Sequence, residues 1–267
     1  MPPLIVPESF ALALAAFAPC FTAPTYRIFR YLVAGWVHCP GRHTVTAVAL
    51  AAWFPVMAVI VAATGSVQPD DTILGASVLG GAAGAQLTAA ALGATFVTGE
   101  FRSGMIRTTL TACPRPLVVL AAKATVVAGV VFAVTLPAAA AAFGLGRAML
   151  DTDAYGVGDP FPALVGVVLA ITAIGVLGVA IGAVVRQAAG AMAAVVAVVL
   201  VPGMVAPLLG NVERWVGGAS LNGVLAKMAQ SSDATPETVG SLTAWPSLGV
   251  VAAYTAAAIL LAVGARP

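Results

Sequence analysis

The sequence predicts an all-α, polytopic membrane protein with about six transmembrane helices and a short helical segment after the second span. Three observations lead there. Hydrophobic residues make up 61% of the 267-residue chain and charged residues only 8%, against about 25% charged in an ordinary soluble domain. Mean hydropathy is +1.04, and a soluble fold of this length could not hide so much apolar surface without exposing large patches. The apolar residues also fall in long runs without the strand-like alternation of a barrel.

A spanning helix needs roughly 20 mainly apolar residues, because the hydrocarbon core is about 30 Å thick and each residue rises 1.5 Å. Six stretches meet this requirement: Thr44 to Thr64, Ile73 to Thr98, Leu117 to Leu145, Ala163 to Val185, Ala188 to Leu209, and Pro246 to Val263. Only helices satisfy every backbone hydrogen bond within such a segment in lipid. The chain therefore divides into a lead-in and interfacial elbow at residues 1–42 and a six-helix transmembrane domain at 43–267.

Within the lead-in, Leu4 to Ala23 is apolar but carries Glu8 and is broken by Pro7, Pro19 and Pro24. No basic region precedes it, which argues against a cleaved signal peptide. An interfacial or partly buried segment is favoured over an extra span.

Charge sets the orientation. Arg27, Arg30, Arg42, Arg102, Arg107, Arg115, Lys123, Arg186 and Arg266 fall at one set of span ends, and only Arg147, Arg214 and Lys227 at the other. Positive residues collect on the cytoplasmic side, so the Gly99 loop is expected inside. Asp70, Asp71, Asp151, Asp153, Asp159, Glu213, Asp233 and Glu237 map to the opposite side. The external connection from Gly210 to Ala244 holds an amphipathic stretch, Leu221 to Met228. It reads as a short helix lying on the outer surface or closing a vestibule, or as a solvated loop.

The polar run from Gly99 to Thr109 interrupts this apolar chain. If Gly99 to Ala112 forms one helix, Glu100, Ser103, Arg107 and Thr111 share an arc of about 80°. Phe101, Met105, Ile106 and Leu110 then rest on the membrane or on neighbouring helices. Arg102 lies off the arc, within reach of lipid phosphates. Pro114 and Pro116 stop the segment before the third span. Such a helix can insert a polar face into a partner's groove; the plainer reading is a solvated loop whose basic residues fix topology.

Other polar and small residues read as structural. Lys123 can snorkel to the cytoplasmic interface on its long stem. Gln86, near mid-span, suits a hydrogen bond between helices, in preference to facing a pathway. Gly80 with Gly84, and Gly178 with Gly182, have the spacing that brings backbones close within a subunit or across a dimer. Pro55, Pro137 and Pro202 lie inside spans and are expected to kink them.

Several function classes lack their residues. There is no GxxxxGK[ST] loop, HExxH or GxSxG, and no convergent carboxylate pair. No string of embedded Asp, Glu or His offers a proton relay. Cys20, Cys39 and Cys113 form no CxxC, and His38 and His43 beside Cys39 read as unligated interfacial residues. The few basic groups sit at helix ends, which argues against nucleic acid. No catalytic, cofactor-binding or metal-binding residue is expected in this chain, and none is singled out for substrate.

Six spans, with Gly99-Glu100-Phe101-Arg102-Ser103-Gly104-Met105-Ile106-Arg107-Thr108-Thr109-Leu110 after the second, resemble the permease subunits of type-2 ATP-binding cassette (ABC) exporters. The likeness continues through Pro114, Arg115 and Lys123, covers roughly Trp36 to the C-terminus, and is closest to alanine-rich, actinobacterial-like members. It implies a multi-pass plasma-membrane subunit that pairs with a second copy or a sister permease. It also implies a P-loop ABC ATPase partner that binds the ATP and Mg, contacted by a short coupling helix through Glu100, Arg102, Ser103 and Arg107. The cargo implied is a hydrophobic or amphipathic, drug-like or lipid-like molecule. Reversing Glu100 or Arg107 is then expected to uncouple ATP hydrolysis from export without disturbing membrane insertion.

The likeness further implies an amphipathic elbow within Tyr26 to Cys39, where Ala34-Gly35-Trp36-Val37-His38 keeps only the tryptophan of the family pattern. The alternative function is a structural or assembly subunit of another membrane complex, using the same loop on a non-ATPase partner.

Overall fold

Alanine-, valine- and glycine-rich runs, punctuated by proline, glycine and hydroxyl caps, set the helix limits. The computed structural model describes residues 42–67, 70–112, 115–150 and 155–264. The expected lead-in at 4–23, the elbow at 26–39, and the side chains of His38, His43 and all three cysteines lie outside the described residues.

The long helices are α1 (Arg42–Thr64), α2 (Ile73–Ser103), α4 (Pro116–Met149), α5 (Pro160–Val185), α6 (Ala188–Val205) and α10 (Ala244–Gly264). The short ones are α3 (Met105–Ala112), α7 (Glu213–Ala219), α8 (Leu221–Met228) and α9 (Pro236–Val239), with 3-10 turns at Ala206–Leu208 and Gly210–Val212. No strand occurs among the described residues. The fold is all-helical, and the six long helices are each long and apolar enough to cross a membrane. This is the make-up of a multi-pass membrane protein.

Local chemistry explains the ends. Thr72 caps α2 by accepting from the Gly75 N–H at 3.0 Å, and Ser220 caps α8 from the Gly223 N–H at 2.9 Å. Pro116 and Pro160 open α4 and α5, where a missing N–H costs nothing. Pro55, Pro137 and Pro202 sit within continuous helices.

Helices α2 and α5 form the centre. In their apolar stretches 61% and 67% of residues are buried, against 17% in α1 and α10. Both run in the same direction, and glycine sets their separation. A Cβ at Gly93 would strike the Gly175 carbonyl, one at Gly178 the Ala90 carbonyl, and one at Gly182 would meet Ala94. The other glycine pair serves a different contact: Gly84 receives the Trp53 ring of α1 and Gly80 lies against Met57. Both small-residue motifs therefore act within the subunit. Around this pair, α1 and α4 pack on α2, α6 packs on both central helices, and α10 packs on α5.

The connections gather by charge. At the acidic end, Asp71 accepts from the Ser232 N–H at 3.0 Å and its hydroxyl at 2.8 Å. Gln230 exchanges two hydrogen bonds with the Asp159 backbone, at 3.1 and 3.2 Å. The Ile73 N–H donates to the Gly156 carbonyl at 2.8 Å. Three loops far apart in sequence are thus tied together. The ends carrying Arg102, Arg115 and Arg186 lie opposite, hereafter the Arg-rich end.

The amphipathic stretch at Leu221 to Met228 is a helix, but it does not lie on the surface. Leu221, Val224, Leu225 and Met228 are buried, at the i, i+3, i+4, i+7 spacing of one helix face. They pack against α2, α5, α6 and α10, and Gly166 makes room for Met228. Near its far end Ala229 approaches Gly75, while Asn222 near its start meets Gln86. Gln86 is eleven residues beyond Gly75 on α2, about 16 Å deeper, so α8 dips into the bundle. Lys227 anchors it to the start of α10, donating to the Leu242 carbonyl at 2.9 Å and the Ser247 hydroxyl at 3.0 Å.

Candidate functional site

The polar run begins inside a helix rather than in a loop. Helix α2 continues through Ser103, five residues past the expected span end at Thr98. It stops because Gly104 adopts a left-handed conformation, φ +72°, with its N–H donating to the Phe101 carbonyl at 3.4 Å. Helix α3 starts at the next residue. The expectation of one helix from Gly99 to Ala112 is therefore corrected. The break at Gly104 places Glu100 and Arg107 on different helices, and the shared polar arc does not form.

The longer α2 also changes what Glu100 and Lys123 do. Lys123 lies seven residues into α4, and Glu100 reaches the same level because α2 does not end at Thr98. The Lys123 Nζ donates to Glu100 Oε2 in an ion pair. Lys123 is only 1% exposed and Glu100 16%. Lys123 does not snorkel to water as expected, since a carboxylate on the adjacent helix provides its counter-charge. A buried ammonium without such a partner would be costly.

The other expected contact residues take two positions. Arg102 and Ser103 are exposed at the tip of α2, and the Ser103 hydroxyl donates to the Glu100 carbonyl at 3.3 Å. Arg107 belongs to α3, and its side chain lies outside the described residues. The arrangement is a short helix, hinged at a glycine, beside a charge pair that joins α2 to α4. Among the described residues no three His, Cys, Asp or Glu side chains come together.

Comparison with family models, with curated proteins and with solved structures finds no match for this chain.

A second polar link crosses mid-bundle. Gln86 Nε2 donates to Asn222 Oδ1 at 2.7 Å, and Asn222 Nδ2 donates to the Val199 carbonyl at 3.3 Å. The Val199 carbonyl can only accept, which fixes the Asn222 amide and, through it, that of Gln86. The expected inter-helix role of Gln86 is thereby given a partner, one on α8 rather than on a spanning helix. Gln86 Oε1 is buried with no hydrogen-bond partner among the described residues. Asn222→Ala is expected to lower stability by roughly 1–3 kcal/mol, because it strands the Gln86 amide donor as well. The double variant Gln86→Leu with Asn222→Leu should recover most of that loss. Thermal midpoints in detergent check this, and a double variant no better than Asn222→Ala would contradict the network.

Proposed function

We propose that this chain is the membrane-spanning permease subunit of an ABC exporter, moving a hydrophobic or amphipathic substrate with ATP hydrolysed by a partner ATPase. The observation that carries the reading is the short helix α3 at the Arg-rich end. It is set off from α2 by Gly104 and closed by the proline-initiated α4. Beside it, Glu100 and Lys123 clamp the two spanning helices on which it hangs. A push on α3 from a cytoplasmic protein would therefore reach α2 and α4 together. Positive charge at this end supports a cytoplasmic position for it.

Arg102 and Ser103 at the α2 tip and Arg107 on α3 are the contact residues under this reading, and Glu100 acts through Lys123 as a positioning residue. Glu100 reversal is thus no clean test of docking, since it would set two positive charges against each other in a buried site. Among the described residues the outer faces of α1 and α6 are largely exposed and apolar, which suits contact with a second permease copy or a sister permease.

The test is affinity purification of the intact protein from its host membrane in mild detergent, followed by mass spectrometry. Recovery of a stoichiometric P-loop ATPase, diminished in Arg107→Glu, is the expected result. Repeated recovery of the folded chain with no ATPase would replace this reading with a structural subunit.

A further inference from the structure

A cleft of about 240 Å³ opens at the Arg-rich end between the last turns of α2 and the sharp turn joining α5 to α6. Arg102 reaches it from α2 and Arg186 from the turn. Arg186 takes the left-handed conformation, φ 59°, and its N–H closes α5 by donating to the Gly182 carbonyl at 2.9 Å. Its guanidinium lies 5.8 Å from the centre of the Phe101 ring, a cation–π distance that holds it against an apolar wall.

The cleft is rich in donors for an anion. Gln187 at the α6 cap makes no side-chain capping bond, so the cap residue does not satisfy the first amides of α6, beginning with Ala188 on the cleft wall. The two threonine hydroxyls of the lining donate to their own helix instead, Thr95 to the Ala91 carbonyl and Thr98 to the Ala94 carbonyl. Glu100, the acidic residue adjoining the cleft on α2, is turned to Lys123. The exposed Arg102 guanidinium matches phosphate oxygens in geometry as well as charge, and Arg186 adds positive charge to the same cleft.

Depth decides which phosphate. Helix α2 has 31 residues, about 46 Å of helix against a hydrocarbon core of about 30 Å. Its last turns therefore stand at headgroup level, beside the turn where α5 ends and α6 begins. A ligand with its phosphate at this height and acyl chains running down the apolar helices is a phospholipid. We propose that this cleft is a binding site for an anionic phospholipid of the phosphatidylglycerol type. The proposal does not depend on the identity of any protein partner, and it gives the Arg102 guanidinium to the lipid phosphate in place of the partner contact named above.

The test is native mass spectrometry of the full chain in mild detergent with equimolar phosphatidylglycerol and phosphatidylcholine. Preferential retention of phosphatidylglycerol is expected. Each of Arg102→Gln and Arg186→Gln should weaken it about fivefold. Gly99→Leu gives an independent check: Gly99 lines the cleft, and a Cβ there meets nothing within 4 Å. That change fills the space, leaves both arginines in place, and should also reduce retention.

Arg115→Gln, an exposed basic residue at the same end but outside the cleft, should change little. Equal retention of the two lipids, or equal losses in Arg115→Gln and the cleft variants, would overturn the proposal. So would displacement of the lipid by glycerol 3-phosphate or inorganic phosphate at comparable concentration, which would make the ligand a soluble phosphate.

Discussion

Glu100→Gln is expected to be among the most damaging single changes outside the close-packed helix centre, lowering stability by roughly 3–5 kcal/mol. The variant leaves the Lys123 ammonium, 1% exposed, without its counter-charge. Lys123→Met should cost less, because Glu100 is partly exposed and lies on the last turn of α2. Removing both charges in Glu100→Gln with Lys123→Met should recover most of the folded yield, since an uncharged, well-packed pair carries no desolvation penalty.

That double variant also separates two roles. If the pair serves stability alone, ATP-coupled export returns with the fold. The proposed function predicts otherwise: α2 and α4 would no longer be clamped at the base of α3, so the double variant should fold, bind its ATPase and remain poorly coupled. Thermal midpoint, co-purified ATPase and transport, measured on the same preparation, read these outcomes independently.

The spans were legible in the sequence because length and apolar content alone decide them. The six expected segments match the six long helices to within a few residues, apart from the Arg-rich end of α2. The spacing of the amphipathic run at Leu221 to Met228 allowed a helix but left a solvated loop equally open. Its depth was not legible, because a loop helix on the outer surface and one dipping into the bundle share the same pattern. Asn222 could have hinted at it, as a polar residue facing the same bundle as Gln86.

The Glu100–Lys123 pair was hidden for a different reason. Helices α2 and α4 are apolar nearly all round, so their sequences do not fix their rotation and a side chain's neighbour cannot be read from them. The signal that could have found it was two lone opposite charges at the same ends of consecutive spans. The break at Gly104 is foreshadowed by glycine's weakness within helices, although the polar spacing on either side of it is equally that of one continuous helix.

Gly93→Ala and Gly178→Ala are expected to be as severe as breaking the charge pair, although each adds a single methyl group. Between helices in lipid there is little hydrophobic gain to be had, so contact depends on dispersion at close range. At these positions the new Cβ would meet a backbone carbonyl, that of Gly175 or Ala90, rather than a movable side-chain tip. Relief requires α2 and α5 to separate. Overpacking of a core costs about 1–3 kcal/mol when side chains can adjust, and here the backbone itself must move, so the upper part of that range or beyond is expected.

Because α2 and α5 form the buried centre, their separation would also loosen α4, α6 and α8, which pack on both. Gly129→Ala and Gly144→Ala on α4 supply the controls: a Cβ there meets nothing within 4 Å, and loss of glycine within a helix is mildly favourable. Monodisperse yield and thermal midpoint in one detergent should fall sharply for the first two variants and hold or rise for the second two. Gly93→Ala behaving like Gly129→Ala would mean that the helices are not in backbone contact, and the α2–α5 pair could not then be the centre on which the other spans are hung.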